Sequence, residues 1–238
     1  MAAPPPVRES AETAPSPVPV RVGEKLHYAI HYGFVRAGKA SLDVIGVDTV
    51  RGREAYHIRF AASGGIVFYH VNDQYDSWVD ARSGVSLRYE QRIREGRYAS
   101  DRRFEIFPDS ATYLEMGKES QPGVAEPLDE VSFFYVLRSL GMTEGATYTL
   151  QRYFRPENNP VVIRVLRRER IEVPAGAFDA VVLQPVIQTR KGAFSEKGDA
   201  RVWVSDDPRH VILKVESRLF FGSLSMRLTA IDSSDIRP

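Results

Sequence analysis

From residue 25 onward the chain largely alternates apolar and polar positions with period two, and one stretch takes up helical spacing instead. Leu26, Tyr28, Ile30 and Tyr32 alternate with Lys25, His27, Ala29 and His31, the signature of a strand over residues 25–34 with one face turned to a core. Further strands are predicted over 39–47 and over 55–62, where Tyr56, Ile58 and Phe60 share a face. Ser63, Gly64 and Gly65 break the pattern, and 66–70 carries no assignable period. A meander over 73–80, 85–95 and 98–107 follows, then a strand over 111–116. The alternation resumes over 147–154, 161–173, 178–190 and 223–231. Pro185 interrupts the third of these, which argues for a bulge or an edge.

The departure is residues 128–141, LDEVSFFYVLRSLG. Phe133, Val136, Leu137 and Leu140 fall at helical spacing on one apolar face. Asp129 is placed to cap the first turn, Glu130 adds charge that favours the positive end of the macrodipole, and Gly141 suits the left-handed position that ends a helix. The expected architecture is therefore mainly β: a large curved antiparallel sheet or open barrel with one helix packed on its concave face. The strand grammar also repeats. Trp78-Val79-Asp80, then Val85-x-Leu87-Arg88-x-Glu90-x-Arg92 and Gly96, is matched by Trp203-Val204-Ser205, then Val211-x-Leu213-Lys214-x-Glu216-x-Arg218 and Gly222. Gly23 and Gly52 likewise correspond to Gly145 and Gly176. The reading is two related β meanders, 23–107 and 145–232, joined by a helix-bearing connection over 108–144 within one domain, 23–238.

Composition narrows this picture at its ends. Six of the 15 prolines fall in the first 20 residues, so 1–22 reads as a Pro/Ala-rich disordered tail. It lacks a basic segment followed by an apolar one and is not a signal peptide, but such a lead suits a mature exported protein whose signal segment is absent from the chain. A periplasmic or exported location is the expectation. Net charge is +1, which recruits no nucleic acid, and no apolar run is long enough for a transmembrane segment. Without cysteine there are no disulfides, thiolate metal sites or cysteine nucleophiles.

Little in the chain points to catalysis. His27 and His31 share a strand face, but four residues of strand separate them by about 13 Å, too far for one metal ion. Asp76 and Asp80 are spaced likewise, beyond the separation of a glycosidase pair. No nucleophile elbow, dinucleotide fingerprint or phosphate loop is present. The chain reads as non-enzymatic, with no cofactor and no metal. Two groups of residues remain. Arg92 and Arg94 on one strand, with Arg164 and Arg168 on another, lie on polar faces. They form either a solvated, self-paired outer surface or a patch for anionic head groups or acidic glycans. Trp78, Tyr89, Tyr113, Phe133, Phe134, Leu137 and Trp203 are candidates to fill the core or to line an apolar cavity between helix and sheet.

The stretches 26–38 (LHYAIHYGFVRAG), 75–80 (YDSWVD), 170–178 (RIEVPAGAF) and 200–207 (ARVWVSDD) resemble a bacterial family of unknown function, DUF3108. More distantly, the run from Trp203 to Glu216 is similar to the closing strands of periplasmic lipoprotein carriers, open barrels around helices with an apolar lipid cavity. The resemblance implies an exported β protein and supplies no catalytic residues. The single short helix departs from the several helices of those carriers. The function expected is binding of an apolar ligand, a lipid or lipoprotein chain, in the cell envelope. The alternative is a structural or assembly scaffold whose sheet edges or Arg-rich faces meet other envelope proteins.

Overall fold

A computed structural model describes residues 19–66, 69–189, 194–195, 199–219 and 222–233. The first half holds β1 (Glu24–Tyr32), β2 (Val35–Val50), β3 (Arg53–Ile66), β4 (Tyr69–Asp80), β5 (Ser86–Glu95), β6 (Tyr98–Phe107), β7 (Thr112–Glu115) and β8 (Ser120–Pro122). The helix α1 (Ser132–Ser139) follows. Then come β9 (Thr147–Leu150), β10 (Val161–Val173), β11 (Gly176–Val186), β12 (Arg201–Ser205), β13 (Ile212–Leu219) and β14 (Gly222–Ser233). The strands form one antiparallel 14-stranded sheet in the order β8-β7-β6-β5-β4-β3-β2-β1-β14-β13-β12-β11-β10-β9. Apart from β8 and β9, strands consecutive in sequence are neighbours in the sheet, and β1 against β14 joins the two meanders, from Glu24 opposite Ser233 to Tyr32 opposite Leu224.

The sheet does not close, because β8 and β9 do not pair. The connection that bears the helix runs between these two ends. The Leu128 amide donates to the Arg152 carbonyl at 2.7 Å, and the Phe154 amide donates to the Leu128 carbonyl at 3.0 Å. The Ser86 amide reaches the Pro127 carbonyl on the other side. This explains why the strand expected over 147–154 stops at Leu150: from Arg152 to Phe154 the backbone pairs with the connection instead.

The helix differs from its sequence pattern in two respects. All eight of its residues are buried, so it sits within the curled sheet and has no solvent face. It is also shorter than 128–141, beginning at Ser132. Asp129 still provides the cap, its Oδ1 accepting from the Val131 and Ser132 amides at 2.9 Å, while Ser132 Oγ accepts from the Asp129 amide at 2.8 Å. Gly141 does not turn left-handed. Leu140 goes extended, and the Tyr148 hydroxyl donates to the Gly141 carbonyl, 2.8 Å from where a Cβ would stand.

One other departure, at Gly64, and the expected edge at Pro185 have local causes. Gly64 and Gly65 do not end a strand, for β3 continues to Ile66 and pairs with β4 throughout. Gly38 and Gly64 are register partners whose backbones approach so closely that a Cβ on either would lie 2.4 or 2.1 Å from the opposite chain. Pro185 lies beyond Leu183, the last residue of β11 paired with β12, so its missing N–H breaks no ladder on that side. Of the tail, residues 1–18 lie outside the described residues, while Val20 packs against the core.

Gly52 and Gly176, matched in the sequence repeat, both have positive φ, +79° in the β2–β3 turn and +133° at the first residue of β11. Gly46 lies at a bulge of β2 without that constraint, and a Cβ meets nothing at either Gly46 or Gly52. Gly52→Ala is expected to cost about 1–2 kcal/mol for the left-handed backbone alone. Gly46→Ala should be neutral or stabilising in the same urea titration. Equal losses would remove the backbone explanation.

Candidate functional site

The helix plugs one end of the curled sheet. Its C-terminal side carries Arg138, 1% exposed, whose guanidinium donates to both carboxylate oxygens of Glu24 at the start of β1, at 2.6 and 3.0 Å. Burial alone would push Arg138 down, and the Glu24 carboxylate outweighs it and holds the guanidinium above its ordinary value. The Arg138 carbonyl lies 2.7 Å from His210 Nδ1, in the turn between β12 and β13. At the other end of the helix, Ser77 Oγ donates to Asp129 Oδ2 at 2.6 Å, and Ser86 and Ser132 hydroxyls meet at 2.9 Å. Glu24, Ser86 and His210 all belong to one end of their strands, which is the closed end.

The opposite end holds a cavity of about 1180 Å³. Val131 and Phe134 of the helix region form part of its floor, with Phe134 stacked on Phe60 at 5.9 Å and edge-on to Phe194. Apolar side chains such as Ile30, Ile93, Val215 and Met226 line the walls. Tyr32, Glu95 and Tyr98, at the ends of β1, β5 and the start of β6, mark the mouth. Polar groups sit to one side. Glu130 and Arg155 both line the cavity, and each has a buried polar atom, Oε2 and Nε, without a hydrogen-bond partner. The Arg155 guanidinium lies over the rings of Phe104 and Phe154, at 5.1 and 4.9 Å. Burial and the nearby Glu130 carboxylate together push the Tyr153 hydroxyl well up.

The seven core or cavity candidates are divided among four places. Phe134 alone of them lines the cavity. Phe133 and Leu137 are fully buried against the sheet. Tyr89 and Tyr113 belong to an aromatic cluster with Phe104 and Phe154, ring centroids 5.3–6.4 Å apart, which fills the interior beneath β5–β7. Trp78 and Trp203 are placed on the outer face. Each alternates with inward-facing neighbours, Ser77 and Val79 or Val202 and Val204, so the pleat turns both indoles outward. Trp78 Nε1 donates to Asp48 at 2.8 Å and its ring stacks on His57, with Arg88 over it. Trp203 Nε1 donates to Glu169 at 2.6 Å, with Lys214 over its ring.

The four arginines do not make one patch. Arg94 is held by both oxygens of Asp101 at 2.8 Å. Arg168 is tied to Asp206 and to the Met142 carbonyl. Arg92 is exposed opposite Asp101, and exposed Arg164 lies 3.5 Å from Gln184 Oε1. Strands β5 and β10 are far apart in the sheet. The cavity wall went unnoticed in the sequence because its residues are ordinary inward positions of strands. The available signal was the cluster Ser63-Gly64-Gly65, where the inner face runs out of side-chain volume.

Residues 27–229 match the family model described as a protein of unknown function, DUF3108. The chain belongs to the DUF3108 family. Among solved structures, this DUF3108 protein is similar to a β-barrel-like protein of the DUF1849 family from Brucella abortus. The TM-score is 0.58 at 10% identity, covering 90% of this chain and 98% of that one. It is also similar to a hypothetical protein from Chlamydia trachomatis, with TM-score 0.40, 8% identity and coverage of 92% and 91%. The first likeness supports the open, barrel-like fold. No curated protein matches the sequence.

Asp129, the buried cap, provides a pH-dependent test of how the helix is held. Burial pushes its carboxyl up to about 6, against the hydrogen bonds from Ser77 and the Ser132 amide. The folded protein therefore holds a proton that the unfolded chain has released. Its stabilising contribution is full below the ordinary Asp range and is lost as pH rises through about 6. Asp129→Asn removes that dependence, so the stability of the variant relative to wild type should rise by up to roughly 3 kcal/mol between pH 4 and 7. A flat difference in chemical denaturation across that range would contradict the buried, proton-holding cap.

Proposed function

We propose that this DUF3108 protein is a non-enzymatic, exported cell-envelope protein that takes an apolar ligand, a lipid or lipoprotein acyl chain, into its cavity. The observation that carries this reading is the cavity itself: about 1180 Å³, walled mainly by apolar side chains, beside a helix whose Phe134 ring forms part of the floor. Ligand sites typically occupy ~300–1,000 Å³, so this interior lies somewhat above that range. Packed protein interiors leave few voids larger than a water molecule.

Two experiments test the reading. Organic extracts of gently purified protein should contain lipid by mass spectrometry, and the protein should take up a fluorescent fatty-acid probe. Ala62 lines the cavity, and Ala62→Trp should abolish uptake while the circular dichroism of the fold is kept. Absence of both extracted lipid and probe uptake in wild type would refute the proposal.

Packing energetics give a second check. Leu137 is fully buried and lies off the cavity, so Leu137→Ala should cost about 3–5 kcal/mol, as in a filled core. Met226 is half-buried on the cavity wall, and Met226→Ala should cost about 2 kcal/mol or less because no new void opens in packed protein. Equal costs would mean that the space is filled in solution by the protein itself.

A further inference from the structure

The two ends of the sheet differ in what their turns expose. At the closed end the turns present Arg51, Arg82, Ser83, Asp109 and Arg209. At the mouth, the β1–β2 turn presents Phe34 at 105% exposure and Val35 at 61%, followed by exposed Arg36. The β5–β6 turn presents exposed Arg97 and Tyr98 at 59%. Among the described residues neither Arg36 nor Arg97 has an ion-pair partner, in contrast to the paired Arg94 and Arg168 of the outer wall.

An isolated exposed apolar side chain needs no explanation. Here two turns on one rim each set an aromatic residue beside an arginine that is unpaired among the described residues, and both border the mouth of the same apolar cavity. Phe34 and Val35 contribute nothing to the core, and leaving them in water is unfavourable. Aromatic residues beside cations suit the boundary between acyl chains and acidic head groups, where the ring is buried and the guanidinium remains at the phosphates. We propose that the mouth-side rim, Phe34 and Val35 with Arg36 and Tyr98 with Arg97, seats on the surface of a lipid bilayer containing acidic head groups, with the cavity opening toward the membrane. That a ligand passes through this mouth rests on the cavity reading above; the docking itself does not.

The test is cosedimentation of the full chain with vesicles of phosphatidylcholine, with and without phosphatidylglycerol. Wild type should bind the acidic vesicles and lose binding as salt rises. Phe34→Ser with Val35→Ser should weaken that binding about tenfold or more. Arg36→Gln with Arg97→Gln should weaken binding to acidic vesicles selectively. Ile45→Ser with Val47→Ser alters exposed apolar residues of β2 toward its closed end and should bind as wild type does. Failure of wild type to bind acidic vesicles would overturn the proposal, as would equal losses in the rim and control variants. It would also fall if the Phe34/Val35 change altered self-association in sedimentation velocity and left vesicle binding intact, since the rim would then be a contact between copies. Probe uptake in vesicle-free solution separates the two readings: uptake without docking sinks only the rim, and docking without uptake sinks only the cavity.

Discussion

Arg138 and Glu24 meet out of water, and their pairing fixes how the rest of the molecule is arranged. A helix enclosed on every side cannot turn a charged residue to solvent, so its one arginine must be neutralised within the interior. Glu24 does this through two hydrogen bonds, and the Arg209 carbonyl accepts a third at 3.2 Å. Leaving either charge without the other in that environment would cost several kcal/mol, so the pair acts mainly to exclude other placements of the helix. Because Glu24 begins β1 and Arg209 lies between β12 and β13, the helix is held to one end of the sheet. The space at the other end follows from that.

A curled sheet of fourteen strands encloses more volume than its inward side chains fill. Eight helical residues span about 12 Å, enough to plug one end and no more. The rings of Tyr89, Phe104, Tyr113 and Phe154 occupy the side beneath β5–β7. Toward the mouth the inner surface instead carries small residues, Ala37, Gly38, Ala62, Ser63, Gly64 and Gly65. The cavity is therefore the consequence of where bulk is placed: large rings and a helix at one end and side, and nearly bare backbone at the other.

Much of this was legible in the sequence. Period-two alternation located most strands, the helical spacing of Phe133, Val136, Leu137 and Leu140 located the helix, and Asp129 was correctly placed as its cap. What was not legible depended on closure. Glycines 64 and 65 resemble a break because glycine is uncommon in strands, but here two backbones approach too closely for any side chain. Arg138 offered no hint of burial, since its partner is 114 residues away. An apolar stripe also does not reveal that a helix is enclosed, because Tyr135 and Ser139 look equally suited to a solvent face. The two sides of a strand were distinguishable, but not that both indoles would lie on the outer one.

The two tryptophans show what the recurrent motifs are for. In both halves an indole on the outer face crosses a neighbouring strand to a carboxylate on the next, Trp78 to Asp48 and Trp203 to Glu169, with Arg88 or Lys214 over its ring. Just after each, an aspartate accepts from turn amides: Asp80 from Arg82 and Ser83, and Asp207 from Arg209. These contacts each tie three strands together from the outer face. None of the four side chains lines the cavity. The stretches that carry the family likeness thus include the scaffold's bracing, and membership of DUF3108 does not by itself transfer a ligand. What the interior holds is decided by side chains that motif comparison passes over: Phe60, Ile93, Phe134 and Met226 around the apolar volume, with Glu130 and Arg155 beside it.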